Sequence, residues 1–174
     1  MTLVETLVAT VVASLLLLVV GVLSVYGLRS FSAMGNCTEL DAQSRQALDQ
    51  ISQDMRQATQ VLSCGTNAFG ATLVVSNGLR GMTIRYEWDA DARTLSCEKS
   101  DQGEVVYLTQ CDAWQVEMYR RTPQPGTTMT FVRTPNPAEC KLVAMTWKCS
   151  RPIMGRAWNT ETVQTAQIVL RNKR

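Results

Sequence analysis

Histidine is missing from all 174 residues. Its absence removes Ser-His and Cys-His nucleophilic dyads together with the commonest zinc ligand. None of the six cysteines stands in a C-x-x-C pair, which argues against a thioredoxin-like redox centre or a zinc ribbon. A glycine-rich phosphate loop, a G-x-S-x-G elbow, an H-E-x-x-H helix and an EF-hand loop are missing too. Neither an enzyme nor a cofactor is expected. Charge is also sparse: Asp, Glu, Lys and Arg make up 18% of the chain against 45% hydrophobic residues, a balance that excludes a disordered polypeptide. The length suits one globular head with an appended element.

The formal net charge of +2 conceals a strong division along the chain. Residues 1–37 carry only Glu5 and Arg29, residues 38–119 carry 6 basic and 12 acidic groups, and residues 120–174 carry 10 basic and 2 acidic ones. From Thr6 to Leu28 runs a stretch of 23 uncharged residues, TLVATVVASLLLLVVGVLSVYGL. As a helix it spans roughly 35 Å, enough to cross a bilayer. A secretory signal would carry a basic group ahead of this run, whereas the residue there is Glu5. If Met1 were the initiator, Arg29 would hold the following residues, with all six cysteines, on the cytoplasmic side. Both conflicts disappear if a basic leader is cut away immediately before Met1. A carboxylate beside an apolar helix costs about 2–3 kcal/mol or more in lipid. Glu5 therefore either sits solvated in the headgroup layer or pairs with an α-amino group, its own or a neighbouring copy's.

The start MTLVETLVA, followed at once by a long apolar helix, resembles the mature N-terminus of the type IV pilin and pseudopilin family; Met1, Thr2, Leu3, Val4 and Glu5 carry the likeness. The resemblance implies that a prepilin peptidase cuts before Met1, that the new amine is methylated, and that Glu5 neutralises the N-terminus of an adjacent subunit during assembly. It implies a homopolymer or mixed pilin filament, an inner-membrane location before assembly, and an extracellular or periplasm-spanning fibre afterwards. Where many major pilins have a proline, this segment has Gly21, Gly27 and Gly35, each costing about 1 kcal/mol in a helix. The segment RQALDQISQDMRQA is similar to the corresponding helix of minor pilins and J-type pseudopilins.

After Asn36 the pattern becomes amphipathic. Leu40, Ser44, Leu48, Ile51, Met55, Ala58 and Leu62 recur at steps of three and four, the period of a helix that covers a sheet. Thr38 with Asp41 has the form of a helix-start signal. Three parts are expected: an apolar helix over 1–36, an amphipathic helix over 37–62 and a β-rich head over 63–174. From residue 71 the period falls to two. TLVVS, an Asn77-Gly78 turn and GMTIRYEW read as a hairpin, with Met82, Ile84, Tyr86 and Trp88 on one side. TLSCEKS, EVVYLTQC, WQVEMY, TTMTFVR, KLVAMTWKC and VQTAQIVL read as further strands. The expected class is α+β, a long N-terminal helix on an antiparallel sheet.

Cys37, Cys64, Cys97, Cys111, Cys140 and Cys149 form an even set in a strand-rich chain, so a disulfide-bonded head is expected. A Cys97–Cys111 bridge would follow if their two strands make a hairpin. Cys37 and Cys64 lie too far apart along a helix to pair, and Cys140 and Cys149 bound one strand. The other pairings stay open. Asp89, Asp91 and Asp101 read as turn formers rather than calcium ligands, and Trp88, Trp114, Trp147 and Trp158 as packing residues rather than a ligand platform. The basic residues Arg120, Arg121, Lys141, Lys148, Arg151 and Arg156 are candidates for contact with the acidic middle of another subunit or with DNA phosphates. Taken with the resemblance, the expected function is a structural subunit of a type IV pilus-like filament. The alternatives are a minor pseudopilin of a type II secretion system and a DNA-binding competence subunit; a membrane-anchored enzyme or sensor is the rival from another class.

Overall fold

The computed structural model describes residues 2–67, 69–78, 81–101, 103–123, 130–153 and 159–171. Met1, Arg156 and Trp158 lie outside the described residues. Among the described residues one α-helix, α1 (Leu3–Gln57), leads into nine antiparallel strands. They are β1 (Gln60–Asn67), β2 (Gly70–Asn77), β3 (Met82–Asp89), β4 (Thr94–Lys99), β5 (Gly103–Thr109), β6 (Cys111–Thr122), β7 (Thr130–Arg133), β8 (Leu142–Pro152) and β9 (Asn159–Val169). The chain is α+β, as its periodicities imply. The first five strands form a meander in the order β1-β2-β3-β4-β5, and the last four a second sheet in the order β7-β6-β8-β9.

Only the C-terminal part of α1 belongs to the core. Leu40, Ser44, Ala47, Ile51 and Met55 are its buried residues, one stripe at steps of three and four. This stripe lies against β5 of the first sheet and against β8 and β9 of the second. Sheet residues that alternate inward, among them Leu73, Val75, Tyr86, Leu95, Trp114, Val143, Met145 and Trp147, complete the core.

Three expectations are corrected. First, the helix ends at Gln57, not at residue 62. Ala58 is extended, with its N–H donating to the Asp54 carbonyl at 3.0 Å, and the Thr59 N–H donates to the Ser76 carbonyl at 2.8 Å. Val61 then pairs with Val75 and is buried on β1, while Leu62 is exposed. Strand addition to β2 thus takes precedence over another helical turn. Second, no new helix starts at Thr38: α1 is unbroken there, and the Thr38 hydroxyl donates to the Met34 carbonyl at 3.0 Å. The helix also runs straight through Gly21, Gly27 and Gly35. Third, the expected disulfide-bonded head is not observed: no disulfide joins any two of the six cysteines. Cys97 on β4 stands opposite Val105 and Tyr86, whereas Cys111 opens β6 in the other sheet. TLSCEKS and EVVYLTQC do pair as the β4–β5 hairpin, but Cys111 lies past its end, beyond Gln110, a non-glycine residue with φ 60°, where the chain crosses to the other sheet.

The junction of the sheets is held by polar contacts. The Cys111 N–H donates to the Arg93 carbonyl at 2.8 Å, and Trp88 Nε1 donates to the Cys111 carbonyl at 3.0 Å. The Arg93 guanidinium contacts Asp112 and donates to the Ser150 carbonyl at 2.9 Å.

Candidate functional site

Between Thr2 and Glu39 no side chain is buried; the first is Leu40, 1% exposed. Nineteen exposed large apolar side chains fall between Leu3 and Met34, against eight in the rest of the described chain. Leu3 is 81% exposed and Phe31 75%. An apolar surface of this extent far exceeds the few hundred Å² that a solitary soluble protein tolerates, so something covers it. The best window of the helix has a mean hydropathy of 2.7, and the helix is long and apolar enough to cross a membrane. Its 55 residues span roughly 80 Å, so the apolar part projects well beyond the head.

The polar side chains of this segment are satisfied from within. Thr6, Thr10 and Ser14 donate to the carbonyls of Leu3, Leu7 and Val11 at 2.8–2.9 Å, and Ser24 donates to Val20 at 2.8 Å. These hydroxyls therefore enter an apolar environment without leaving an unpaired donor. Glu5 behaves similarly. Its Oε2 accepts the Thr2 backbone N–H at 3.3 Å, placing a carboxylate at the positive end of the helix. Sequence reading overlooked this contact, although Thr2-Leu3-Val4-Glu5 has the T-x-x-E form that signals it. The other charge in the segment, Arg29, borders a shallow apolar groove with Leu18, Gly21, Val22, Val25 and Tyr26.

No protein-family model, curated protein or solved structure matches this chain. The functional reading therefore rests on the geometry of the chain and on its N-terminal motif.

The head carries little that resembles a catalytic centre. No group of three or more metal-ligating side chains occurs among the described residues. Asp89 Oδ1 accepts the N–H groups of Asp91 and Ala92 at 2.8 and 3.0 Å, a turn-forming arrangement. Trp114 and Trp147 are buried, and Trp88 packs half-buried at the junction of the sheets. Of the basic candidates, Arg120 pairs with Glu139 at 3.2 Å and Lys148 with Glu161 at 2.9 Å. Arg151 pairs with Glu39 of α1, and this guanidinium, hydrogen-bonded to the carboxylate, holds the Glu39 carboxyl below its ordinary value. Arg121 is exposed near the end of β6, Lys141 precedes β8, and Arg156 lies outside the described residues. Arg133 pairs with Glu117 at 3.3 Å, so four cations of the basic third are committed to carboxylates of the same chain.

One polar cluster fastens the helix to the first sheet. Asp54 accepts from Lys99 Nζ at 2.9 Å and from the Tyr86 hydroxyl at 3.1 Å, beside a cavity of about 280 Å³ that Gln50, Gln53, Cys97 and Tyr107 also line. Burial, reinforced by Asp54, pushes the Tyr86 hydroxyl well above its ordinary range, so it stays a donor. Nothing local in the sequence links these residues, which stand 32 and 45 positions apart. Asp54→Ala leaves both donors without a partner and is expected to cost about 3 kcal/mol of unfolding free energy. Asp54→Asn, which retains an acceptor for Tyr86, is expected to cost roughly half as much, as measured by urea denaturation.

Proposed function

We propose that this protein is a structural subunit of a type IV pilus-like helical filament. It is held in the inner membrane by the N-terminal part of α1 before assembly, and polymerises through that same surface afterwards. The observation that carries this is the unbroken helix whose N-terminal half is exposed and almost uniformly apolar, beginning with a single acid at position 5. Covering a side chain of Val, Leu or Phe type contributes about 1.5–3 kcal/mol relative to water, so keeping this surface covered, by lipid before assembly and by neighbouring helices after it, is worth on the order of tens of kcal/mol per subunit. That gain scales with length and does not distinguish one register from another. Glu5 provides the distinction, because in an apolar bundle its charge is tolerated only where a neighbour's amino terminus meets it. A head-to-tail contact of this type propagates without closing and yields a fibre. No observation favours a DNA-contacting role over contact between subunits.

The intrahelical bond from Thr2 to Glu5 suggests a discriminating test. Glu5→Gln retains an acceptor for the Thr2 N–H and removes the charge. With the prepilin peptidase and assembly machinery present, the wild-type chain is expected in sheared fibres. Glu5→Ala and Glu5→Gln are both expected to stay in the membrane fraction, with fibre yield down at least about tenfold, equivalent to ~1.4 kcal/mol. If Glu5→Gln assembles like the wild type, the carboxylate acts only as a helix cap and the proposed role of its charge is wrong.

A further inference from the structure

Cys111 and Cys149 stand directly opposite one another on β6 and β8. The bond flanking them runs from the Ser150 N–H to the Gln110 carbonyl at 3.1 Å, the pattern around a non-hydrogen-bonded pair in an antiparallel ladder. In agreement, the Cys111 N–H and carbonyl turn to Arg93 and Trp88. Such pairs hold their Cα atoms about 4.5 Å apart with side chains on one face, inside the ~4.4–6.8 Å window of a disulfide. Both residues point inward, 0% and 1% exposed. The backbone on the approach is fixed in an uncommon form: Arg93 and Gln110, at φ 55° and 60°, are the two described non-glycine residues in the left-handed region. One binds the Cys111 N–H and the other precedes Cys111 in the chain.

We propose that Cys111 and Cys149 are an oxidisable dithiol that closes as an intrachain disulfide between β6 and β8 on exchange with a small or protein disulfide. One of the two cysteines, as its thiolate, bonds to one sulfur of the oxidant, the oxidant's S–S bond breaks, and the departing thiolate takes up a proton. The other cysteine then loses its proton and bonds to the sulfur of the first, expelling the second half of the oxidant as a thiol. The pair gives up two electrons and two protons, and the oxidant becomes two thiols. Both cysteines are buried in the folded chain, so the exchange occurs before the buried stripe of the helix is seated. Once seated, the helix shields the bridge from reductant. This inference does not depend on the filament proposal.

The test uses the full-length chain in detergent micelles. One sample is oxidised with glutathione disulfide in denaturant during refolding, and the other only after folding. Both are alkylated without reduction and mapped by mass spectrometry. The first sample is expected to yield a peptide linking Cys111 to Cys149, two hydrogens lighter than the dithiol, and the second at least about tenfold less of it in the same time. Quantitative alkylation of both cysteines in both samples, or a link from either one to Cys97 or Cys140, would overturn the proposal. Equal linkage in both would overturn the order of events and the shielding.

Discussion

Deletion of residues 2–36 is expected to leave a soluble monomeric head with an unchanged melting transition. The reason is the distribution of burial: every side chain between Thr2 and Glu39 is exposed or half-exposed, and the stripe that holds α1 to the sheets begins at Leu40. The Glu39 to Arg151 pair, the outermost tie between helix and head, survives the cut. The lost part of the helix presents apolar surface outward and contributes none to the core. Fractionation should move the truncated chain wholly from pellet to supernatant, and calorimetry should show a change within about 1 kcal/mol of the full chain in detergent. A fall of more than about 5 °C would mean that the projecting half supports the head.

The opposite outcome is expected at Trp147. This side chain is 0% exposed, stands opposite Trp114 on β6 and Gln164 on β9, and reaches the Ser44 hydroxyl of α1 with Nε1 at 3.4 Å. It therefore joins three elements at the point where the helix crosses the second sheet. Trp147→Ala removes the largest kind of side chain from a close-packed site and leaves the buried Ser44 hydroxyl short of a partner. The expected cost is about 3–5 kcal/mol, a lowering of Tm by about 10–20 °C. Against a total stability on the order of 5–15 kcal/mol, this brings the head close to unfolding. The control is Val163→Ala on β9, whose side chain is 59% exposed and which should stay within about 0.5 kcal/mol. Equal losses at the two positions would show that the second sheet is not packed as described.

Periodic elements were legible and contact partners were not. The β2–β3 hairpin is written in the alternation of Met82, Ile84, Tyr86 and Trp88 after an Asn77-Gly78 turn, and the structure pairs Asn77 with Met82 at its end. β1 escaped notice because only Val61 of its eight residues is buried, so the strand has no alternation to display. The continuation of the helical stripe to Leu62 was deceptive for a related cause. Its spacing fits, yet Val61 contributes more by pairing with Val75 than Leu62 would on a helix whose buried stripe already closes at Ile51 and Met55. The cluster of Asp54, Lys99 and Tyr86 gave no signal, since its members come from three elements.

The apolar run and its single acid establish the rod, its exposure to a non-aqueous partner and the amphipathic turn toward the head, because helical periodicity and charge spacing are local properties of neighbouring residues. Which strands share a sheet, and hence that Cys111 meets Cys149 and not Cys97, was set by folding in three dimensions. The reversal at Gln110 sends the chain from one sheet into the other, and the partner across a ladder depends on hydrogen bonds to a distant segment that no local pattern encodes.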